Sequence, residues 1–154
     1  MALSISSPGF PNGARLPAKF TCQGEGVSPG LQWNGAPDRT ASFVIFLEDP
    51  DAPAGVFTHW IIFNIPANTR SLPEAASPRG QRPPGSHEGK NSGGTAGYNA
   101  PCPPAGPAHR YYFRIFALSD MLNLKSNAGR EQVLGDMKGL ILEQSELMGT
   151  YQLT

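Results

Sequence analysis

The chain has 154 residues, enough for one domain over residues 1–154 that buries roughly 68–70% of its unfolded surface. Its 12 Lys and Arg balance 12 Asp and Glu, and this zero formal charge argues against non-specific nucleic-acid binding and against a membrane held by charge alone. Its 18 glycines and 16 prolines exclude a helix bundle, because proline is poorly tolerated inside helices and central strands; they point to a strand-and-loop fold with stiff connections.

The N-terminal "MALSISSPGF" has no basic n-region and no apolar h-region, so no signal peptide is read there. No apolar run approaches the roughly 18 residues that span a bilayer. The expectation is a cytoplasmic protein with no stable membrane insertion, in which Cys22 and Cys102 are reduced thiols. One distant pair supplies no CxxC metal spacing.

Turn signals "SPGFPNG", "GEGVSPG" and "NGAPD" punctuate residues 1–40, with short strands expected at 15–22 and 31–33. Three runs rich in Val, Ile and Phe follow: "ASFVIFLE" at 41–48, "HWIIFNI" at 59–65 and "RYYFRIFAL" at 110–118. They are too short for helices and lack strict alternation, which predicts strands covered on both faces in the middle of a sheet. Residues 66–108 are almost all turn chemistry, and a loop of that length is often functional. In "NAGREQVLGDMKGLILEQ", apolar residues recur at helical spacing, which predicts a helix over about 127–144 capped by Ser126 or Asn127. "ELMGTYQLT" reads as a short final strand.

The chemistry gathers at strand ends. "LEDPDAPAGVFTHW" places Asp49 and Asp51 at the end of one apolar run and His59 at the start of the next. His109 opens the third run. If that run lies antiparallel to 41–48, both acids, both histidines and Tyr111 meet at one end of the sheet. Such a set could ligate a metal, act as general acid and base, or hold a small anionic or zwitterionic ligand. Each part also has a structural reading: Asp-Pro-Asp-Ala-Pro is a natural turn, and His59 could be a satisfied core histidine. His87, in the polar loop, reads as a solvated bystander. No nucleophile elbow or triad order is present.

At these residues the sequence resembles a known family. "EDPDAPAGVFTHW" and "GYNAPCPPAGPAHRYYF" are similar to the two signature segments of the phosphatidylethanolamine-binding proteins, in their bacterial and archaeal Raf-kinase-inhibitor-like branch. "FTCQGEGVSPGLQWNGAP", "GKNSGGTAGY" and "LEQSELMGTYQ" extend the likeness over nearly the whole chain. The resemblance implies a mostly β fold: a large central antiparallel sheet packed against a smaller one, with few peripheral helices. It implies a small pocket for phosphate-like groups, lined or supported by Asp49, Asp51, Pro53, His59, Cys102, Pro103, Pro104, His109 and Tyr111, with a cis Ala52-Pro53 step and self-association into dimers. Three positions depart from the branch: Asn99 and Ala100 stand where glycines are usual, and Ser92 where Asp is common. Residues 77–88 look like a variable connection.

The expected function is therefore non-enzymatic: binding of a phospholipid headgroup or another phosphorylated ligand, without cofactor or metal, and inhibition or scaffolding of a partner enzyme such as a kinase or protease. The alternative is a metal-assisted phosphoesterase using the same Asp and His cluster. A third is an interaction protein with a vestigial pocket.

Overall fold

A computed structural model describes residues 2–154. In chain order the elements are β1 (Ser4–Ser6), β2 (Leu31–Asn34), β3 (Ser42–Asp49), β4 (Phe57–Pro66), β5 (Ser71–Leu72), a short helical turn α1 (Ala76–Arg79), β6 (His87–Glu88), β7 (His109–Leu118), α2 (Arg130–Met137) and β8 (Ile141–Tyr151). They form a five-stranded antiparallel sheet, β6-β4-β3-β7-β8, and a three-stranded antiparallel sheet, β1-β2-β5. The mostly β, two-sheet architecture is the expected one.

The three apolar runs are the middle of the large sheet, and burial explains why they do not alternate. One face packs Phe43, Ile45, Leu47, Trp60, Ile62, Phe113 and Ile115 against Leu31, Trp33 and Leu72 of the small sheet. The other face packs Val44, Phe46, Ile61, Phe63 and Phe116 under Val133 and Met137 of α2. Apolar side chains are needed on both faces, so period-two alternation disappears. Trp60 is fully buried, and truncating it to Ala would cost about 3–5 kcal/mol.

Four expectations are corrected here. Residues 15–22 are not a strand: Pro17 (φ −57°) starts a 3-10 turn at Ala18–Phe20 that buries Phe20. The C-terminal helix is shorter than 127–144. It begins after Gly129, whose N–H donates to Gln132 Oε1 at 3.0 Å, and ends before Gly139 (φ 79°). A left-handed glycine readily reverses the chain. The apolar Leu140–Leu142 step then leads into β8, with Ile141 paired to Leu118 of β7, instead of prolonging the helix. The final strand accordingly starts at Ile141, not 146. Finally, Cys22 and Cys102 are joined in a disulfide with Cα atoms 5.3 Å apart. The two residues are 80 positions apart in the chain, so only the fold could bring them together.

No helix among the described residues is long and apolar enough to cross a membrane.

Candidate functional site

β3 and β7 run antiparallel, from Ser42↔Leu118 to Glu48↔Tyr112, so the end of β3 and the start of β7 lie at one edge of the sheet. β4 starts there too, pairing Phe57 with Asp49. A cavity of about 180 Å³ opens at this edge. That is below the roughly 300 Å³ at which pockets for drug-sized ligands begin, so the cavity suits a small chemical group.

Of the residues expected at the site, Asp49, Pro53, His59, Cys102, Pro103, Pro104, His109 and Tyr111 line this cavity. Asp51 does not; its carboxylate turns to Arg110. Ala52, Phe57, Asn99 and Ala100 complete the wall and were not predicted as site residues. For Asn99 and Ala100 the sequence does carry a signal, since both stand where the branch usually has glycine. His87 lies elsewhere, against Phe63 and Ser126.

Each histidine is held by its Nδ1. His109 Nδ1 lies 2.6 Å from Asp49 Oδ2, and His59 Nδ1 lies 2.7 Å from the main-chain oxygen of Asn99. A carbonyl oxygen can only accept, so His59 Nδ1 carries the proton and donates it. The same logic applies to His109 against an ionised carboxylate. Nε2 is then the free nitrogen on each ring. Tyr111 sits between them, edge-on to His59 at 5.5 Å and stacked with His109 at 6.5 Å between ring centroids. Its side chain is fully buried, and its hydroxyl has no hydrogen-bond partner among the described residues.

The electrostatics follow from burial and from neighbouring charge. Burial pushes the His59 pKa below its ordinary 6.5, against the opposing pull of the Asn99 hydrogen bond and the Asp49 charge. Burial also raises the Tyr111 pKa, and the Asp49 and Asp51 charges add to this, so the hydroxyl keeps its proton at neutral pH. Hydrogen bonds from the Arg110 side chain hold the Asp51 carboxyl down at about 2.

The wall opposite the acids is built by the long loop. Its 92–99 stretch loops out between two anchors on β4: Ser92 N–H donates to Thr58 O, and Asn99 N–H to His59 O, both at 2.8 Å. Asn99 therefore grips His59 twice, once through each backbone group. Ser92 Oγ accepts the Thr58 N–H at 2.8 Å, so an acceptor is retained where Asp was expected. Asn99 and Ala100 are absent from the residues with positive φ, whereas Gly97 takes φ 120°. The turn geometry that needs glycine is met at Gly97, and the two substitutions add side-chain bulk without strain. The loop is tied to the N-terminal segment by the disulfide and by Cys22 N–H donating to Pro101 O at 3.0 Å. The Ala52-Pro53 peptide is trans; the cis bond among the described residues is Ser77-Pro78.

Among the described residues, no group of three or more His, Cys, Asp and Glu side chains is arranged to hold a metal ion.

A family model for phosphatidylethanolamine-binding protein matches residues 6–152. The chain belongs to that family. It is 43% identical over 150 residues to a UPF0098 protein of Methanothermobacter thermautotrophicus, covering 97% of this chain and 99% of that one. A UPF0098 protein of Chlamydia pneumoniae is 38% identical over 155 residues, covering 97% and 99%. Among solved structures, E. coli YbcL, described as a new member of the mammalian PEBP family, superposes with a TM-score of 0.94 at 30% identity over the full length of both chains. A phosphatidylethanolamine-binding protein homolog from Chlamydia trachomatis gives 0.92 at 37% identity, covering 99% of each chain. Family membership supports a binding-protein role for this chain.

Proposed function

We propose that this chain is a non-catalytic binding protein whose cavity takes the phosphate-type end of a small ligand, and that it acts by inhibiting or scaffolding a partner enzyme of kinase or protease type. The observation that carries this reading is the convergence of three uncommitted polar groups on one small cavity: Nε2 of His59, Nε2 of His109 and the Tyr111 hydroxyl. A buried hydroxyl without a partner costs stability unless a ligand uses it.

The same geometry sets the conditions of binding. A neutral imidazole whose Nδ1–H is already committed presents a lone pair at Nε2, which is an acceptor. An anion needs donors, so binding draws protons onto the histidines or uses a protonated ligand oxygen. Asp49 has both oxygens engaged, with His109 Nδ1 and with the Asp51 N–H, so its role is to orient His109 and not to meet the ligand.

The test is an NMR titration of labelled protein with phosphate and with phosphorylethanolamine, at pH 6 and pH 7.5. Saturable shifts at Asp49–His59 and Cys102–Tyr111, lost in His109→Ala, are expected. Absence of shifts at millimolar ligand overturns the reading. A stoichiometric metal in the purified protein, lost in His59→Ala, would replace it with metal-assisted phosphoester hydrolysis.

A further inference from the structure

Asp51 lies beside the cavity but outside its wall, and its bonding suggests a distinct task. Its carboxylate accepts three hydrogen bonds from one residue: from Arg110 N and Nε, each at 2.9 Å, to Oδ2, and from Arg110 Nη2 at 2.8 Å to Oδ1. The Asp51 N–H donates to Asp49 Oδ1 at 2.8 Å, and Asp49 Oδ2 holds His109. Two carboxylates at alternate positions of one segment thus grip two successive residues of the other. The last paired residues of the β3–β7 ladder are Glu48 and Tyr112. Beyond them, side-chain oxygens take over the ladder: the Asp51 carboxylate accepts the main-chain N–H of Arg110 where a strand carbonyl would otherwise do so.

We propose that Asp51 and Arg110 are positioning residues for the cavity, and that their fork fixes the 50–56 turn on β7 and thereby holds Asp49 on His109. The role rests on the reading of the cavity as a phosphate site. Through this fork the turn that supplies Ala52 and Pro53 to the wall becomes one rigid unit with the strand that supplies His109 and Tyr111. An ordinary surface ion pair contributes little, because two flexible side chains must be held in one geometry. This pair differs in two respects. A planar guanidinium is pre-organised for two-point contact, and the third bond comes from a main-chain N–H that cannot swing away. The pairing also compensates the charge of Asp51, which would otherwise stand uncompensated near an incoming anion. Tyr112 lies beside the fork, with its ring centroid 5.9 Å from the Arg110 guanidinium and its hydroxyl accepting from Arg110 Nη1 at 3.4 Å.

The decisive comparison is Arg110→Lys, which keeps the charge and loses the fork, beside Asp51→Asn and the double variant. Two signals are read on the ligand-free protein: the His109 Nδ1–H proton resonance and fast backbone motion at 52–56. Phosphate affinity is then measured on each protein. The expected result is faster exchange of the His109 proton and greater mobility at 52–56 in every variant. Affinity should fall about fivefold, the scale of leaving one ordered element loose, and the double variant should be no worse than the worse single one. Arg110→Lys matching the parent in all readouts would overturn the proposal, as would additive losses in the double variant. Failure of the parent protein to bind phosphate would sink the phosphate reading alone, and the two ligand-free signals would still decide the positioning role. Melting curves separate a general loss of fold, in which all resonances shift, from the local loosening expected here.

Discussion

The Nδ1 of His109 lies 2.6 Å from Asp49 Oδ2, and this bond joins the end of one central strand to the start of its antiparallel neighbour across 60 positions of sequence. It fixes which nitrogen of the ring faces the cavity. Removing the carboxylate frees the ring to rotate and to exchange tautomers. Asp49→Ala should therefore weaken phosphate binding about tenfold while leaving the sheet intact, since the central β3–β7 ladder is main-chain bonded. Calorimetric titration of the variant beside its melting curve checks this, and unchanged affinity would remove Asp49 from the site.

Tyr111→Phe separates binding from stability. The hydroxyl is buried and unpartnered, so its removal should leave the melting temperature unchanged or slightly raised. Phosphate affinity should fall roughly tenfold or more, the scale of a hydrogen bond to a charged group. A fall in stability would mean that the hydroxyl is satisfied within the protein, and an unchanged affinity that the ligand ignores it.

The pH response follows from His59. Its folded pKa lies below the ordinary 6.5 because burial disfavours the charged ring. Between those two values the unfolded chain holds a proton that the folded chain lacks, so stability is complete above about pH 6.5 and declines as the pH falls through that window. Phosphate, which needs donors, should bind more tightly over the same interval and offset part of the decline. Asp51, held at about 2 against an ordinary 3.8, adds its own loss only at much lower pH. Melting temperatures from pH 7.5 to 5, with and without phosphate, test both trends; a His59→Gln protein with the same slope as the parent would contradict the assignment.

The disulfide is checked by thiol counting in denaturant, with no reactive thiols expected before reduction and two after. Closing a loop of 80 residues stabilises by about 4.5 kcal/mol in the chain-entropy account. Reduction should therefore lower the melting temperature clearly. It should also loosen the wall carried by Ala100 and Pro103, seen as weaker phosphate binding at temperatures where the protein is still folded. Binding that survives reduction unchanged would show that the Cys22 N–H to Pro101 bond suffices.

Ala100→Gly removes bulk from the wall without relieving strain, because Ala100 does not take a left-handed φ. Glycine there should cost about 0.5–1 kcal/mol through the unfolded chain while widening the cavity. A shift of preference from phosphate towards larger phosphorylated ligands, read by competition, is the expected outcome. Equal preference would place the size limit elsewhere in the wall.

Composition and local patterns carried the strand-rich character of the fold and placed Asp49, His59 and His109 at strand ends, while the two-sheet arrangement and the wider set with Pro53, Cys102, Pro103 and Pro104 rested on the likeness of the motifs to the family. Runs such as "ASFVIFLE" show no period-two alternation because both faces of the strand are covered, with Ser42–Asp49 buried throughout, and the apolar stretch Phe43–Leu47 writes that requirement into the sequence locally. Asp49, His59 and His109 were legible because each borders such a run, and strand ends are where a sheet gathers chemistry. The tertiary structure alone decided the rest. Gly139 could stand inside a helical pattern on paper, but with β7 offering a free edge the chain reverses there and continues as β8. Cys22 and Cys102 become partners only when the long loop is laid across the sheet end. Asp51 and Asp49 are equivalent acids in the sequence, yet one orients His109 while the other clasps Arg110. Which way a carboxylate turns depends on a partner some 60 residues away, and short-range sequence patterns carry no information about contacts at that distance.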